Sequence, residues 1–234
     1  MTARQIVLDT ETTGLNARLG DRVIEIGCIE LVNRRPTDNH FHRYLNPEHA
    51  IDEGASKVHG MTLEDLADKP RFAEIAGEFV EYLRGAELII HNASFDVEFL
   101  DGELALAGLG KLASHCAGVV DTLAMARELH PGKRNNLDAL CERYAVDHSK
   151  RTLHGALLDA TLLSEVYLAM TRGQDSLIME PDEPVAAQGV AAFDASQLMV
   201  LRASGDELAE HEKVLDAIDR ASRNGSVWRR LGPS

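Results

Sequence analysis

The sequence predicts an α/β protein: a mixed β-sheet flanked by helices, followed by a flexible C-terminal tail. Strand-length apolar runs and helix-period segments alternate from Arg4 to about Arg172. Three strand patterns come early, and mixed helix and strand follow, which describes a mixed sheet with helices around it. After Gly173 the periodicity lapses into an acidic stretch containing Pro181 and Pro184. A length of 234 residues, 44% of them hydrophobic and 26% charged, suits one good-sized globular domain or one domain plus an appendage.

Gln5 to Leu8 is a short apolar strand ending in Asp9. Val23 to Val32 is a second strand, with Ile24, Ile26 and Cys28 on one face and Val23, Glu25 and Gly27 on the other. Asn33 to Asn39 reads as a polar turn, and Phe41 to Leu45 as a third strand. Phe72, Ile75, Ala76, Phe79, Val80 and Leu83 recur at helical spacing. Glu87 to Ile90 is a fourth strand, and Val119-Val120 suggests a fifth. Leu137, Leu140, Cys141 and Tyr144 mark another helix, and Leu157 to Leu168 the last one of the body.

The expected boundaries are a body over 1–173, an acidic linker over 174–197 and a tail over 198–234. Within the tail, Leu198 to Leu201 is strand-like and Asp206 to Ala221 helix-like, and the end holds the chain's one tryptophan, Trp228. So short a segment cannot build its own core. It either folds back onto the body or offers Trp228 to a partner.

Composition narrows the function. Against 24 Lys and Arg stand 38 Asp and Glu, a formal net charge of −14. A module that binds nucleic acid by coating phosphates carries the opposite sign. An enzyme that neutralises a phosphate with metal ions is compatible with it, because such ions require carboxylates. Cys28, Cys116 and Cys141 lack metal-ligand spacing and fit reduced thiols. No apolar run reaches membrane-spanning length and no signal-peptide core opens the chain, so a cytoplasmic location and no membrane partner are expected.

Three clusters carry chemistry. Asp9 and Glu11 are two apart at a strand end, so both side chains share one face; they are either solvated surface or a cation site. Asp96 follows the strand Ile89-Ile90 and the polar turn His91-Asn92, with Asn92 or Ser94 as helix N-cap. It is either a helix-dipole carboxylate or a functional one. His154 lies on the loop before a helix whose second turn carries Asp159, and a carboxylate on an otherwise apolar helix face needs a partner or a metal.

Asp9-Thr10-Glu11-Thr12-Thr13-Gly14, His91 to Asp96 and His154 to Asp159 occur in the order of the three exonuclease motifs of the DEDDh family, which this sequence resembles. Val58-His59-Gly60, Pro131 to Asn135 and Lys150 to His154 are similar to the proofreading branch of that family. The resemblance is dense over residues 4–173 and thin beyond, apart from the end around Trp228. It implies a ribonuclease-H-like fold and 3′→5′ exonucleolytic release of nucleoside monophosphates from single-stranded or frayed DNA ends. It further implies two Mg²⁺ or Mn²⁺ ions on Asp9, Glu11, Asp96 and Asp159, with His154 as general base.

Thr10, Thr12, Gly14, Leu15, Val58 and His59 would then cradle the terminal nucleotide, and His91, Asn92 and Phe95 would shape the floor. The tail would attach to a replicative polymerase α subunit through Trp228. Gln174, Leu177 and Met179 resemble a sliding-clamp motif, with Gln188 to Phe193 as a second candidate. The competing readings are an RNA-trimming member of the same family and a non-catalytic polymerase subunit.

Overall fold

Strand β1 (Arg4–Thr12) occupies the middle of the sheet and forms its deepest part: Ile6, Val7 and Leu8 are wholly buried. A computed structural model describes residues 4–149, 151–172, 203–221 and 228–229. The chain divides into two compact units, Met1–Met179 and Glu180–Ser234.

In the first unit β1 pairs antiparallel with β2 (Val23–Val32), which pairs antiparallel with β3 (Arg35–Tyr44). On its other side β1 runs parallel to β4 (Glu87–Ile90), and β4 runs parallel to β5 (Gly118–Asp121). The order is β3-β2-β1-β4-β5, a mixed sheet as expected. The parallel pairs require helical crossovers. These are α1 (Glu53–His59), α2 (Leu63–Leu66) and α3 (Phe72–Leu83) before β4, and α4 (Ala93–Leu106) before β5. Then come α5 (Thr122–Leu129), α6 (Leu137–Tyr144) and α7 (Ala156–Met170).

Alternation along β1 divides the core between the two faces of the sheet. Ile6 and Leu8 join Ile26, Cys28, Phe41, Leu88 and Ile90 beneath Phe72, Phe79 and Leu83 of α3 and Leu100 and Leu104 of α4. Val7, Leu31 and Ile89 face the other way, against Ala160, Leu163 and Tyr167 of α7. Helices α6 and α7 meet through Leu140, Cys141, Leu162 and Val166. At roughly 25 cal/mol per Å² of apolar area, these two layers supply the main drive to fold.

Several local expectations are corrected. β1 continues past Asp9 to Thr12, so Asp9 and Glu11 lie within a paired strand, opposite Gly27 and Glu25. The polar turn shrinks to Asn33-Arg34, both left-handed (φ 50° and 61°), the conformation a two-residue hairpin needs. The residues after it are exposed but hydrogen-bonded as edge strand β3, which runs from Arg35 and ends at Tyr44; an edge strand with solvent on most of its length shows no apolar alternation to read. Asn92 holds the N-cap position of α4 in a left-handed conformation (φ 63°), without a side-chain cap bond, and Ser94 lies inside the helix. Helices α1, α2 and α5 are short and half-exposed, too weakly patterned to predict.

The second unit shows helix α8 (Gly205–Ala221), close to the expected span. Arg229 pairs with Glu212, Asp216 and Asp219 at 2.6–2.7 Å, which ties the segment bearing Trp228 to α8. The expected strand Leu198 to Leu201, the linker 174–197 and both clamp candidates, including Gln174, Leu177 and Met179, lie outside the described residues. Among the described residues no helix is long and apolar enough to cross a membrane.

Candidate active site

A cavity of about 370 Å³ opens where the end of β1 meets the N-terminal ends of α4 and α7. Asp9 and Glu11 reach it from β1, on the strand face that packs against α7. Thr10 points to the opposite face, where its hydroxyl donates to Asp96 Oδ1 at 2.8 Å. Asp96 and Asp159 each sit in the first turn of their helix, where the dipole favours a carboxylate. Asp159 thus lies one turn earlier than the sequence suggests. Both are almost fully buried.

His154 is on the loop before α7, as expected, and its backbone N–H donates to Val58 O at 3.1 Å, which binds the loop to α1. Ligand atoms of Glu11, His154 and Asp159 lie within 4.8 Å of one another, a group able to hold a metal ion.

Burial and mutual repulsion dominate the electrostatics. Asp9 is held well above the ordinary carboxylate range by burial and then by Asp96, Glu11 and Asp159. Glu11 is pushed up to about 8, by burial and then by Asp159 and Glu25. Asp96 is pushed up to about 7 by burial, against the pull of its bond from Thr10. His154 is lowered by burial and by the cation of Arg151. Carboxylates repelling one another across a small cavity form a hard-oxygen donor set, which fits Mg²⁺ or Mn²⁺.

Every site residue expected in the first unit lines this one cavity. Thr12, Gly14, Leu15, Val58 and His59 belong to its lining, as do His91, Asn92 and Phe95. Leu15 is 84% exposed, a free apolar rim. His59 is buried; its Nδ1 accepts from Met61 N–H at 3.0 Å, so the neutral ring carries its proton on Nε2, which has no partner among the described residues. Burial lowers its affinity for a second proton. His91 Nδ1 lies 2.9 Å from Thr122 Oγ1, which itself donates to Ile90 O, so the ring is fixed at the end of β4. Trp228 belongs to the second unit and is exposed.

Sequence reading missed three contributors. Arg151 is buried against Asp159, with Nε donating to Oδ1 at 2.6 Å and Nη2 to Oδ2 at 2.7 Å. Asp138 at the start of α6 takes a further bond from Arg151 at 2.6 Å. His42 places Nε2 2.7 Å from Glu25, the residue facing Glu11 across β1 and β2. A cation three residues before His154 was the available signal for Arg151. The other two depend on strand and helix packing, which leaves no mark in local sequence.

Residues 6–167 match the exonuclease family model. DNA polymerase III subunit epsilon of Escherichia coli K12 is 52% identical over 97% of both chains. The subunit of the same name from Rickettsia prowazekii is 46% identical over 92% of this chain and 96% of its own. Among solved structures, exonuclease X in complex with 5′-overhanging duplex DNA superposes with a TM-score of 0.58 at 23% identity, covering 73% of this chain and 93% of that one. The zinc-bound E. coli ExoI–ssDNA complex gives a TM-score of 0.67 at 18% identity, over 76% of this chain and 42% of its own length. These two share the fold, a ribonuclease-H-like sheet flanked by helices. With the family match taking in all five strands and every cavity-lining carboxylate within residues 6–167, and half-identical relatives aligned nearly end to end, this chain belongs to the exonuclease family.

Proposed function

We propose that this protein is the 3′→5′ proofreading exonuclease of a bacterial replicative DNA polymerase, removing mismatched 3′-terminal nucleotides as deoxynucleoside monophosphates. The observation that carries this is the convergence of Asp9, Glu11, Asp96 and Asp159 with His154 on one cavity. Relatives named as DNA polymerase III subunit epsilon along almost the full chain support the replicative setting.

Two divalent cations, Mg²⁺ or Mn²⁺, held by the four carboxylates would supply Lewis-acid activation of water and neutralise charge building on the phosphate and departing oxygen. The rest falls to the protein. His154 takes the proton of the attacking water. Its low proton affinity keeps the ring neutral near pH 7, the state a base needs. A guanidinium only donates, so Arg151 Nη2, 2.9 Å from His154 Nδ1, occupies that lone pair and must release it first. Leu15 and Phe95 offer apolar surface to the base. Contacts to phosphate and sugar carry no sequence information, as proofreading requires. A mismatched end unpairs at lower cost, so a cavity for one strand selects errors by energy.

The net charge of −14 leaves little affinity for duplex DNA, so a polymerase α subunit provides the grip. The second unit suits attachment to it: Trp228, Leu208, Val214 and Ile218 are exposed and apolar. Gln174, Leu177 and Met179 would bind the sliding clamp, and replacing Gln174 and Leu177 by Ala should abolish clamp affinity. With these partners the protein works in the cytoplasm.

The test is digestion of a 5′-labelled primer, paired or with a terminal mismatch, beside RNA of the same sequence. Shortening from the 3′ end that is faster on the mismatch, weak on RNA and abolished by EDTA is expected. Preference for RNA would instead assign the protein to RNA trimming, and inactivity on both to a structural role.

A further inference from the structure

Beside the carboxylate cavity lies a second one, of about 580 Å³. The two share His91, Asn92 and Asn136 in their linings, so they adjoin. What the second adds is positive: Arg127 from the last turn of α5 and Lys133 from the loop joining α5 to α6. Gly132, left-handed at φ 74°, turns that loop immediately before Lys133.

Many basic side chains of this acidic chain are matched to acids, as in Arg22–Glu103, Arg43–Glu78, Arg84–Glu81 and Arg151–Asp159. Arg127 and Lys133 make no ion pair among the described residues, and both are exposed. Asn136 Oδ1 accepts from Ala139 N–H, so the part of this side chain left to bind a ligand is its Nδ2 donor pair. A cavity offering two unmatched cations and an amide donor, next to one walled by carboxylates, is complementary to an anion that must approach the acids without touching them.

We propose that this second cavity binds the phosphodiester backbone of a single strand just upstream of its 3′-terminal nucleotide, through Arg127 and Lys133. The proposal rests on the exonuclease reading of the first cavity. It explains how an acidic protein holds a strand at all: neutralisation in the first cavity serves the scissile phosphate, and the next phosphate needs fixed cations of its own. Contacts of this kind ignore base identity, and a duplex end must separate before one strand can thread both cavities.

The experiment compares the full chain with its Arg127→Ala/Lys133→Ala variant. Binding of a 5′-labelled oligodeoxythymidylate is followed by fluorescence anisotropy in EDTA across a salt series. The variant should bind about tenfold more weakly, with the salt slope reduced by about 1.4, roughly 0.7 for each lost phosphate contact on a single strand. Charge-preserving Arg127→Lys/Lys133→Arg should restore both, separating charge from folding. In turnover, the gain in kcat/KM from the 4-nitrophenyl ester of thymidine 5′-monophosphate to a short oligomer should shrink in the variant. Unchanged affinity and slope would overturn the proposal, and so would equal loss on ester and oligomer, which would place the cations on the terminal nucleotide. Wild-type protein that cleaves neither substrate would refute the exonuclease reading instead, while the anisotropy still decides the strand contact.

Discussion

Arg151 grips Asp159 with a two-pronged bond, Nε to Oδ1 at 2.6 Å and Nη2 to Oδ2 at 2.7 Å, and both side chains are more than nine-tenths buried. The same guanidinium touches His154 Nδ1 and Asp138. One side chain thus covers both the carboxylate proposed to hold metal and the lone pair proposed to take a proton. Removing one partner of such a buried pair costs about 3 kcal/mol, because a charge is stranded in low dielectric. Arg151→Ala should lower the melting temperature strongly in EDTA, and Mn²⁺ should recover more of it than it adds to the wild type. An equal Mn²⁺ increment in both proteins would show that Arg151 and the cation do not share Asp159.

His154 is half-exposed and anchored by its backbone, so deleting the ring leaves the loop in place. His154→Ala should reduce kcat by about 100- to 10,000-fold, the usual worth of a positioned base. Strand affinity by anisotropy should stay within about twofold. Near-wild-type turnover would remove the imidazole from the proton transfer.

The crowded carboxylates set a pH dependence. Folded, Asp96 titrates near 7, Glu11 near 8 and Asp9 well above its ordinary 3.8; unfolded, they return to 3.8–4.5. Between these limits the folded state binds more protons than the unfolded one, so stability falls as pH rises. His59, His91 and His154 are lowered by burial and act in the opposite sense, but only up to about pH 6.5, their unfolded value. The melting temperature in EDTA should therefore decline from about pH 6.5 to 8.5, and Mg²⁺ should flatten the decline. A flat profile in EDTA would mean the acids are already ionised in the apo fold.

Gly27 faces Asp9 across β1 and β2, and a Cβ there would overlap the backbone of Ala156 and Leu157 at the start of α7. Gly27→Ala must push α7 off the sheet at the turn that carries Asp159. A loss of about 1–3 kcal/mol in urea denaturation is expected, with a weakened response to Mn²⁺. Wild-type stability and metal response would show that α7 moves without disturbing the site.

Much of the fold was legible because its signals are local. Strand β2 matches its expected limits, Val23 and Val32, because a largely apolar run buried on both faces is bounded by polar residues on either side. Helix α3 matches as well, since its apolar residues repeat at helical spacing beneath one sheet face. Edge strand β3 was shortened in the reading and α5 absent from it, for the same reason: solvent on most sides removes the apolar pattern, and hydrogen bonds to a distant strand or helix end decide the outcome.

The sequence by itself determined the family and fold class of this protein and its acidic charge, and it supplied the candidate chemistry: four carboxylates and a histidine in three ordered motifs. Each is a matter of residue type and short-range spacing. Only the tertiary structure decided that Thr10 holds Asp96 from the far face of β1, and that Arg151 sits on Asp159. It alone decided that Arg127 and Lys133 border the carboxylate cavity. Such relationships join side chains from separate elements, so their energies depend on distance and burial, quantities that exist only once the sheet and helices have packed.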